Sequence, residues 1–62
     1  MIPGSGFIIE WCRPGTDGAE VVDRWQRWSK PKALEAARGP MAPRGLEPWI
    51  RGPKGGRERV NR

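Results

Sequence analysis

The 62-residue chain has 12 Lys or Arg against 7 Asp or Glu, no histidine and a single cysteine, Cys12. Its length allows one small domain and excludes a second core, and its composition excludes an internal disulfide, an imidazole base and the usual zinc sites. We therefore expect a non-enzymatic protein with no catalytic residue, metal, cofactor or small-molecule substrate. A lone thiol also fits a reducing cytoplasm better than secretion.

The first element predicted along the chain is a strand over residues 7–13, Phe-Ile-Ile-Glu-Trp-Cys-Arg. Its alternation predicts an apolar face formed by Phe7, Ile9 and Trp11. The opposite face is formed by Ile8, Glu10 and Cys12. We expect Cys12 to pack as a small hydrophobe and Glu10 to be solvated or salt-bridged. The residues before this strand lack a basic region and a long apolar run, so neither a signal peptide nor a membrane span is expected.

Residues 14–18, Pro-Gly-Thr-Asp-Gly, predict a turn, and the segment after it has two readings. Val21, Val22, Trp25 and Trp28 recur at helical spacing, which favours a helix over 19–29. Pro31 would end that helix almost at once, and the first strand would then have no partner for its backbone groups. We therefore favour a β-hairpin over 7–28, and two consecutive helices are the alternative.

The strongest helix signal covers residues 31–38. Ser29 or Lys30 can lie just outside this helix, and Pro31 suits a first turn because its fixed φ is helical and its missing N–H is not needed there. Two turns are too short for a helix that is stable alone in water. We therefore expect Leu34 and Ala37 to dock it on another part of the chain.

The rest of the chain is rich in Gly and Pro, and we expect a small α+β domain over 1–50 followed by a basic flexible tail over 51–62. Residues 40–50 are predicted to be irregular and to fold back over the sheet or helix. Pro48 restricts residues 46–51 to an edge strand at most. Trp49 belongs to this covering segment, or else it is an exposed anchor for a partner.

Charge is divided unevenly, because residues 1–29 carry a net charge of −1 and residues 30–62 carry +6. This asymmetry points to a polyanionic partner, which is nucleic acid, either DNA or RNA, or an acidic protein surface; the alternative is a tail that only keeps the protein soluble. The candidate contact residues are basic, polar or aromatic: Arg24, Gln26, Arg27, Trp28, Lys30, Trp49, Arg51, Lys54, Arg57, Arg59 and Arg62.

Two functions follow from these features. The first is a nucleic-acid-binding module that meets phosphates with the sheet arginines and with the Gly, Arg and Lys residues of the tail. The second is a small protein-binding adaptor or inhibitor that docks a Trp-rich face on a larger acidic protein. A membrane surface is a less favoured partner than either.

The sequence RWQRWSKPKALEAA, residues 24–37, resembles the passage from sheet to helix in the arm-type DNA-binding domains of tyrosine recombinases. Similar passages occur in other small domains that combine a sheet with a helix. The resemblance covers about 14 of the 62 residues. It implies a sheet laid in the major groove of DNA, with Arg24, Gln26 and Arg27 as the matching candidates.

Overall fold

The computed structural model describes residues 6–60, which form four strands and one helix. In chain order these are β1 (Phe7–Cys12), β2 (Val21–Arg27), α1 (Lys30–Arg38), β3 (Glu47–Arg51) and β4 (Arg57–Arg59). The strands make one antiparallel sheet in the order β2-β1-β3-β4. This architecture confirms the expected small α+β fold. Within residues 6–60, no helix has the length and apolar character needed to cross a bilayer.

The hairpin predicted over 7–28 is confirmed, and the alternative of two consecutive helices is wrong. β1 and β2 pair from Phe7 opposite Arg27 to Trp11 opposite Asp23, and the register then shifts by a bulge at Cys12. The turn between them holds Asp17 and Gly18 at positive φ, 54° and 81°. The helical spacing of the apolar residues in β2 is overridden because β1 needs a partner for its backbone groups.

The helix forms as predicted and starts one residue earlier, at Lys30. The Ser29 side chain accepts a hydrogen bond from the backbone N–H of Lys32, which is a typical N-cap. Ala33 and Ala37 are fully buried, whereas Leu34 is only half-buried beside them. The docking face is therefore centred on two alanines one turn apart, not on Leu34, and their small side chains let the helix backbone approach the sheet.

The core lies between α1 and one face of the sheet. Its buried members are Ile9, Trp11, Ala33, Ala37, Ala42, Ile50 and Val60. Trp11 is fully buried and meets Trp25 edge-on, with ring centroids 5.0 Å apart. The large ring of Trp11 fills the space that the small helix residues leave, so this single face supplies most of the apolar burial.

The prediction that residues 46–51 could form only an edge strand is wrong, because β3 lies between β1 and β4. The carbonyl of Pro48 accepts a hydrogen bond from Val60 N–H at 3.0 Å. In a strand, the N–H and C=O of one residue point to the same side. An N–H at position 48 would therefore also point beyond Arg59, the last residue of β4. Proline therefore costs the ladder one bond at its end, and an interior strand tolerates it. Leu46 and Ile50 do pack on the core, as the fold-back prediction expected.

The expected flexible tail over 51–62 also needs correction. Arg51 ends β3, and Arg57–Arg59 form β4, which returns alongside it. The connecting turn is closed by a hydrogen bond from Gly52 N–H to Gly56 C=O at 2.8 Å. Val60 is 6% exposed and belongs to the core, so the folded unit extends past residue 50. Arg62 lies outside the described residues.

Candidate functional site

The face of the sheet that points away from α1 is named here the open face. Strand alternation and register place on it the side chains Ile8, Glu10, Cys12, Arg24, Gln26, Glu47, Trp49, Arg51, Arg57 and Arg59. Within residues 6–60, no helix packs against this face, since α1 contacts β1 and β2 from the other side. Four arginines and two glutamates therefore share one side of a small sheet.

Glu10 is the centre of the open face, and it is only 2% exposed. Its Oε2 accepts a hydrogen bond from Nε of Arg51 at 3.0 Å. Its Oε1 lies 2.8 Å from Nε of Arg57, close enough for an ion pair although the two atoms are not aligned as a hydrogen bond. Nε of Arg24 lies 3.7 Å from Oε2. One buried carboxylate is thus shared by three strands' guanidinium groups.

The arginines decide the protonation state of this carboxylate. Burial raises the pKa of Glu10, but the hydrogen bond from Arg51 and the positive charges of Arg57, Arg51 and Arg24 outweigh burial and lower the pKa below its ordinary value of 4.5. Glu10 is therefore ionised at neutral pH, and the group of four side chains keeps a net positive charge.

Arg57 has the most contacts of the three arginines. Its Nη2 donates to the carbonyl of Gly18 at 2.7 Å, and its guanidinium lies 5.0 Å from the centre of the Trp49 ring. Gly18 in turn lies against that ring, since a Cβ built on it would come within 2.8 Å of Trp49. Arg57 thus fastens the hairpin turn to β4 across the open face.

These contacts distinguish between the two interpretations of Trp49, a covering residue or an exposed anchor. Its ring is half-buried between Gly18 and Arg57 rather than exposed as an anchor. Trp11 is fully buried, whereas Trp25 and Trp49 are both half-buried. The Nε1 of Trp49 is buried without a hydrogen-bond partner in the described part of the chain.

Away from Glu10, the open face becomes more exposed. Arg59 donates from Nη2 to Oε2 of Glu47 at 3.1 Å, and its side chain is 55% exposed. The Arg24 side chain is 63% exposed, and its neighbour on the same face, Gln26, is also exposed. The face therefore has a buried ionic centre and a polar, positively charged surface.

The structure brings together six of the predicted contact residues: Arg24, Gln26, Trp49, Arg51, Arg57 and Arg59. Arg27 lies on the helix side, with its guanidinium 5.6 Å from the Trp25 ring centre, and not on the open face with Arg24. Lys30 begins α1 and pairs with Glu58. Trp28 is exposed after β2, and Lys54 is exposed in the turn before β4.

Glu10 and Glu47 are parts of this site that were not expected from the sequence. Glu10 could have been noticed because it is a charged residue in the middle of the apolar run 7–12. A charged side chain at such a position in an interior strand is buried and needs a partner. Its ion pairs were foreseen in general terms, but not its arginine partners. Those residues come from 14 to 47 positions further along the chain, where spacing carries no information.

The described residues offer few groups for covalent chemistry. Burial raises the pKa of the Cys12 thiol, and Sγ lies 3.8 Å from the Gly18 carbonyl, as suits a packed side chain. Within residues 6–60, no three His, Cys, Asp or Glu side chains are grouped as a metal site would require. That the protein is not an enzyme stays a prediction.

Comparisons of the chain with protein-family models, with curated proteins and with solved structures found no match. The resemblance of residues 24–37 to arm-type DNA-binding domains therefore stays a hypothesis.

Proposed function

We propose that this protein is a non-enzymatic nucleic-acid-binding module that contacts phosphates with the open face of its sheet. The observation that supports this most is the gathering of Arg24, Arg51, Arg57 and Arg59 on one face while the helix occupies the other. Among the described strand residues, Glu10 and Glu47 are the acidic side chains on that face, and Asp17 of the hairpin turn lies near Arg59 at its end, so the four arginines still leave the face with excess positive charge. Such a patch attracts polyanions and supplies the phosphate contacts of sequence-independent binding.

Duplex DNA is the nucleic acid that fits this face best. Single-strand recognition depends on aromatic rings available for stacking, and the one aromatic ring of the open face, Trp49, is occupied by Gly18 and Arg57. Guanidinium groups bind phosphate through two parallel hydrogen bonds. β2 is an edge strand of the sheet, so its side chains Arg24 and Gln26 can approach a major groove about 12 Å wide.

Within this proposal, Gln26 is the residue suited to reading a base. It is exposed on β2 next to Arg24 in the face, and a glutamine amide can pair with the edge of adenine. Lys54, in the turn between β3 and β4, extends the positive surface at one end. Arg27 and Lys30 are left out of this interface because they lie toward the helix.

The test is the salt dependence of binding to a short duplex of random sequence, measured by fluorescence anisotropy. Arg24→Gln combined with Arg59→Gln should weaken binding and reduce the slope of log K against log salt by roughly 0.9 for each lost phosphate contact. The matched control is Lys32→Gln combined with Arg44→Gln, which removes the same charge from exposed positions outside the sheet. Equal losses from both pairs would contradict a role for the open face.

A small protein-binding adaptor is the second candidate, and two exposed apolar residues favour it. Trp28 is 66% and Met41 81% exposed, and Met41 borders a groove of about 300 Å³ beside α1. Half-buried Trp25 lines the same groove, whereas Trp11 is buried in the core and Trp49 lies on the open face. A protein partner held by apolar contacts should be released faster after Trp28→Ala, with little dependence on salt.

A further inference from the structure

The three arginines around Glu10 are not equivalent. The carboxylate has two oxygens, and each already has one close guanidinium nitrogen: Arg57 at 2.8 Å from Oε1 and Arg51 at 3.0 Å from Oε2. Arg24 is a third cation at 3.7 Å, beyond the usual hydrogen-bond distance. One carboxylate cannot neutralise three guanidinium groups. The arginine with the weakest contact to it therefore carries the unpaired positive charge.

The other contacts of these side chains also distinguish Arg24 from Arg51 and Arg57. Arg57 is held by the Gly18 carbonyl and the Trp49 ring, and its side chain is 25% exposed. Arg51 also donates from Nη1 to the Gly55 carbonyl at 3.3 Å. Within residues 6–60, the guanidinium of Arg24 forms no hydrogen bond, ion pair or ring contact other than its ion pair with Glu10. Arg24 is therefore free to turn outward from the edge strand β2.

We propose that Glu10 is a positioning residue that reserves Arg51 and Arg57 for the fold and leaves Arg24 as the phosphate-binding arginine of this cluster. The inference rests on the proposed function. A phosphate that drew Arg51 or Arg57 away would leave one oxygen of the buried Glu10 carboxylate without its close cation, which is costly. Moving Arg24 breaks only a long contact, so the site binds a phosphate there without disturbing the sheet.

The decisive variant is Glu10→Gln, which keeps the side-chain shape and removes the charge that holds Arg51 and Arg57. Arg57 stays bound to the Gly18 carbonyl and the Trp49 ring, whereas Arg51 keeps only a 3.3 Å hydrogen bond to the Gly55 carbonyl and becomes available to phosphate. The slope of log K against log salt for a random duplex should therefore rise by about 0.9. Glu35→Gln is the matched control, because it removes the same charge from an exposed position on α1. Its slope should stay close to that of the unmodified protein.

The outcomes separate this inference from the function on which it rests. A folded Glu10→Gln variant whose slope does not exceed that of Glu35→Gln overturns the role given to Glu10. If the unmodified protein binds no duplex at all, the proposed function is overturned, and this inference with it. Folding of each variant is checked by far-ultraviolet circular dichroism and tryptophan fluorescence.

If Glu10→Gln does not fold, a second pair of variants tests whether Arg24 is the phosphate-binding arginine. Arg24→Gln and Arg51→Gln remove the same charge from the same face. Arg24→Gln should reduce the salt slope by about 0.9 and leave the melting temperature unchanged, whereas Arg51→Gln should lower the melting temperature. An unchanged slope for Arg24→Gln overturns its assignment as the phosphate-binding arginine.

Discussion

The two faces of the central strand β1 are equally buried but are covered in different ways. On the helix side, Ile9 and Trp11 are fully buried against the alanines of α1. On the open face, Glu10 is 2% exposed and Cys12 fully buried, yet no second helix lies over them in the described part of the chain. The apolar stems of arginine side chains and the Trp49 ring provide this cover. The described part of the chain thus closes the second face of its sheet with charged residues and one aromatic ring instead of a second helix.

The difference has an energetic consequence. Apolar burial on the helix side stabilises the fold directly, whereas a buried ion pair gains little over its desolvation cost and becomes expensive mainly when one partner is removed. The helix side should therefore determine how stable the protein is. The open face should determine where its positive charges are held.

The largest effect is expected from Trp11→Ala on the helix side. Removing a fully buried tryptophan costs about 3–5 kcal/mol, which approaches the whole stability of a small domain. Urea denaturation followed by circular dichroism measures the loss. Trp28→Ala is the control, because that side chain is 66% exposed and its removal should change stability by about 0.5 kcal/mol or less. A folded Trp11→Ala variant of normal stability would refute the assignment of the core.

On the open face, Arg57→Met should cost about 2–3 kcal/mol. The change keeps an apolar stem but leaves Oε1 of the buried Glu10 without its cation and the Gly18 carbonyl without its donor. Arg13→Met tests an exposed ion pair with Glu20, and it should cost no more than about 1 kcal/mol. If thermal unfolding showed equal losses for the two variants, Arg57 would have no special structural role.

Gly18→Ala should destabilise the protein by about 2 kcal/mol, because its φ is 81° and the new Cβ would come within 2.8 Å of the Trp49 ring. Gly15→Ala is matched in backbone, with φ at 86°, but its Cβ would meet open space. It should cost only about 1 kcal/mol, from the backbone alone. The difference in melting temperature between the two variants measures the packing of Trp49 against the turn.

The smallest effect is a dependence of stability on pH. The pKa of Glu10 is lowered in the folded state, so its contribution is complete above the unfolded value of 4.5 and is lost as the pH falls through the lower folded value. Unfolding free energy should therefore decline below about pH 4.5. Glu10→Gln should show a shallower decline in urea titrations across this range, and an identical decline would mean that Glu10 is not stabilised by its arginines.

Local signals in the sequence were enough for part of this fold. The β-branched and aromatic residues of β1, the turn at 14–18 and the Ser29 cap with Pro31 each act within a few residues, so the hairpin and α1 were predictable. β4 was not, because Arg57–Arg59 has no apolar alternation and follows a Gly-rich turn. Its pairing depends on β3, whose own signal is obscured by Pro48.

The candidate site was predictable as a set of residues but not as an arrangement. Charge asymmetry identified the arginines, whereas strand order decided that Arg24, Arg51 and Arg57 meet at Glu10. The strand order also means that deleting the C-terminal residues would not isolate the effect of their charges. Deleting residues 52–62 would remove β4 and buried Val60, so it would unfold the sheet instead of testing a flexible tail. Single side-chain substitutions that leave the sheet folded are therefore the better test of which arginines bind a partner.

The central claim is that the open face, and not the helix side, contacts nucleic acid. Titrating a short DNA duplex into the isotope-labelled protein and following side-chain NMR signals tests it directly. We expect shifts at the Gln26 amide and the Arg24 and Arg59 Nε–H groups, which all belong to the open face. Shifts confined to the Trp28 indole and to backbone amides of α1 would contradict it.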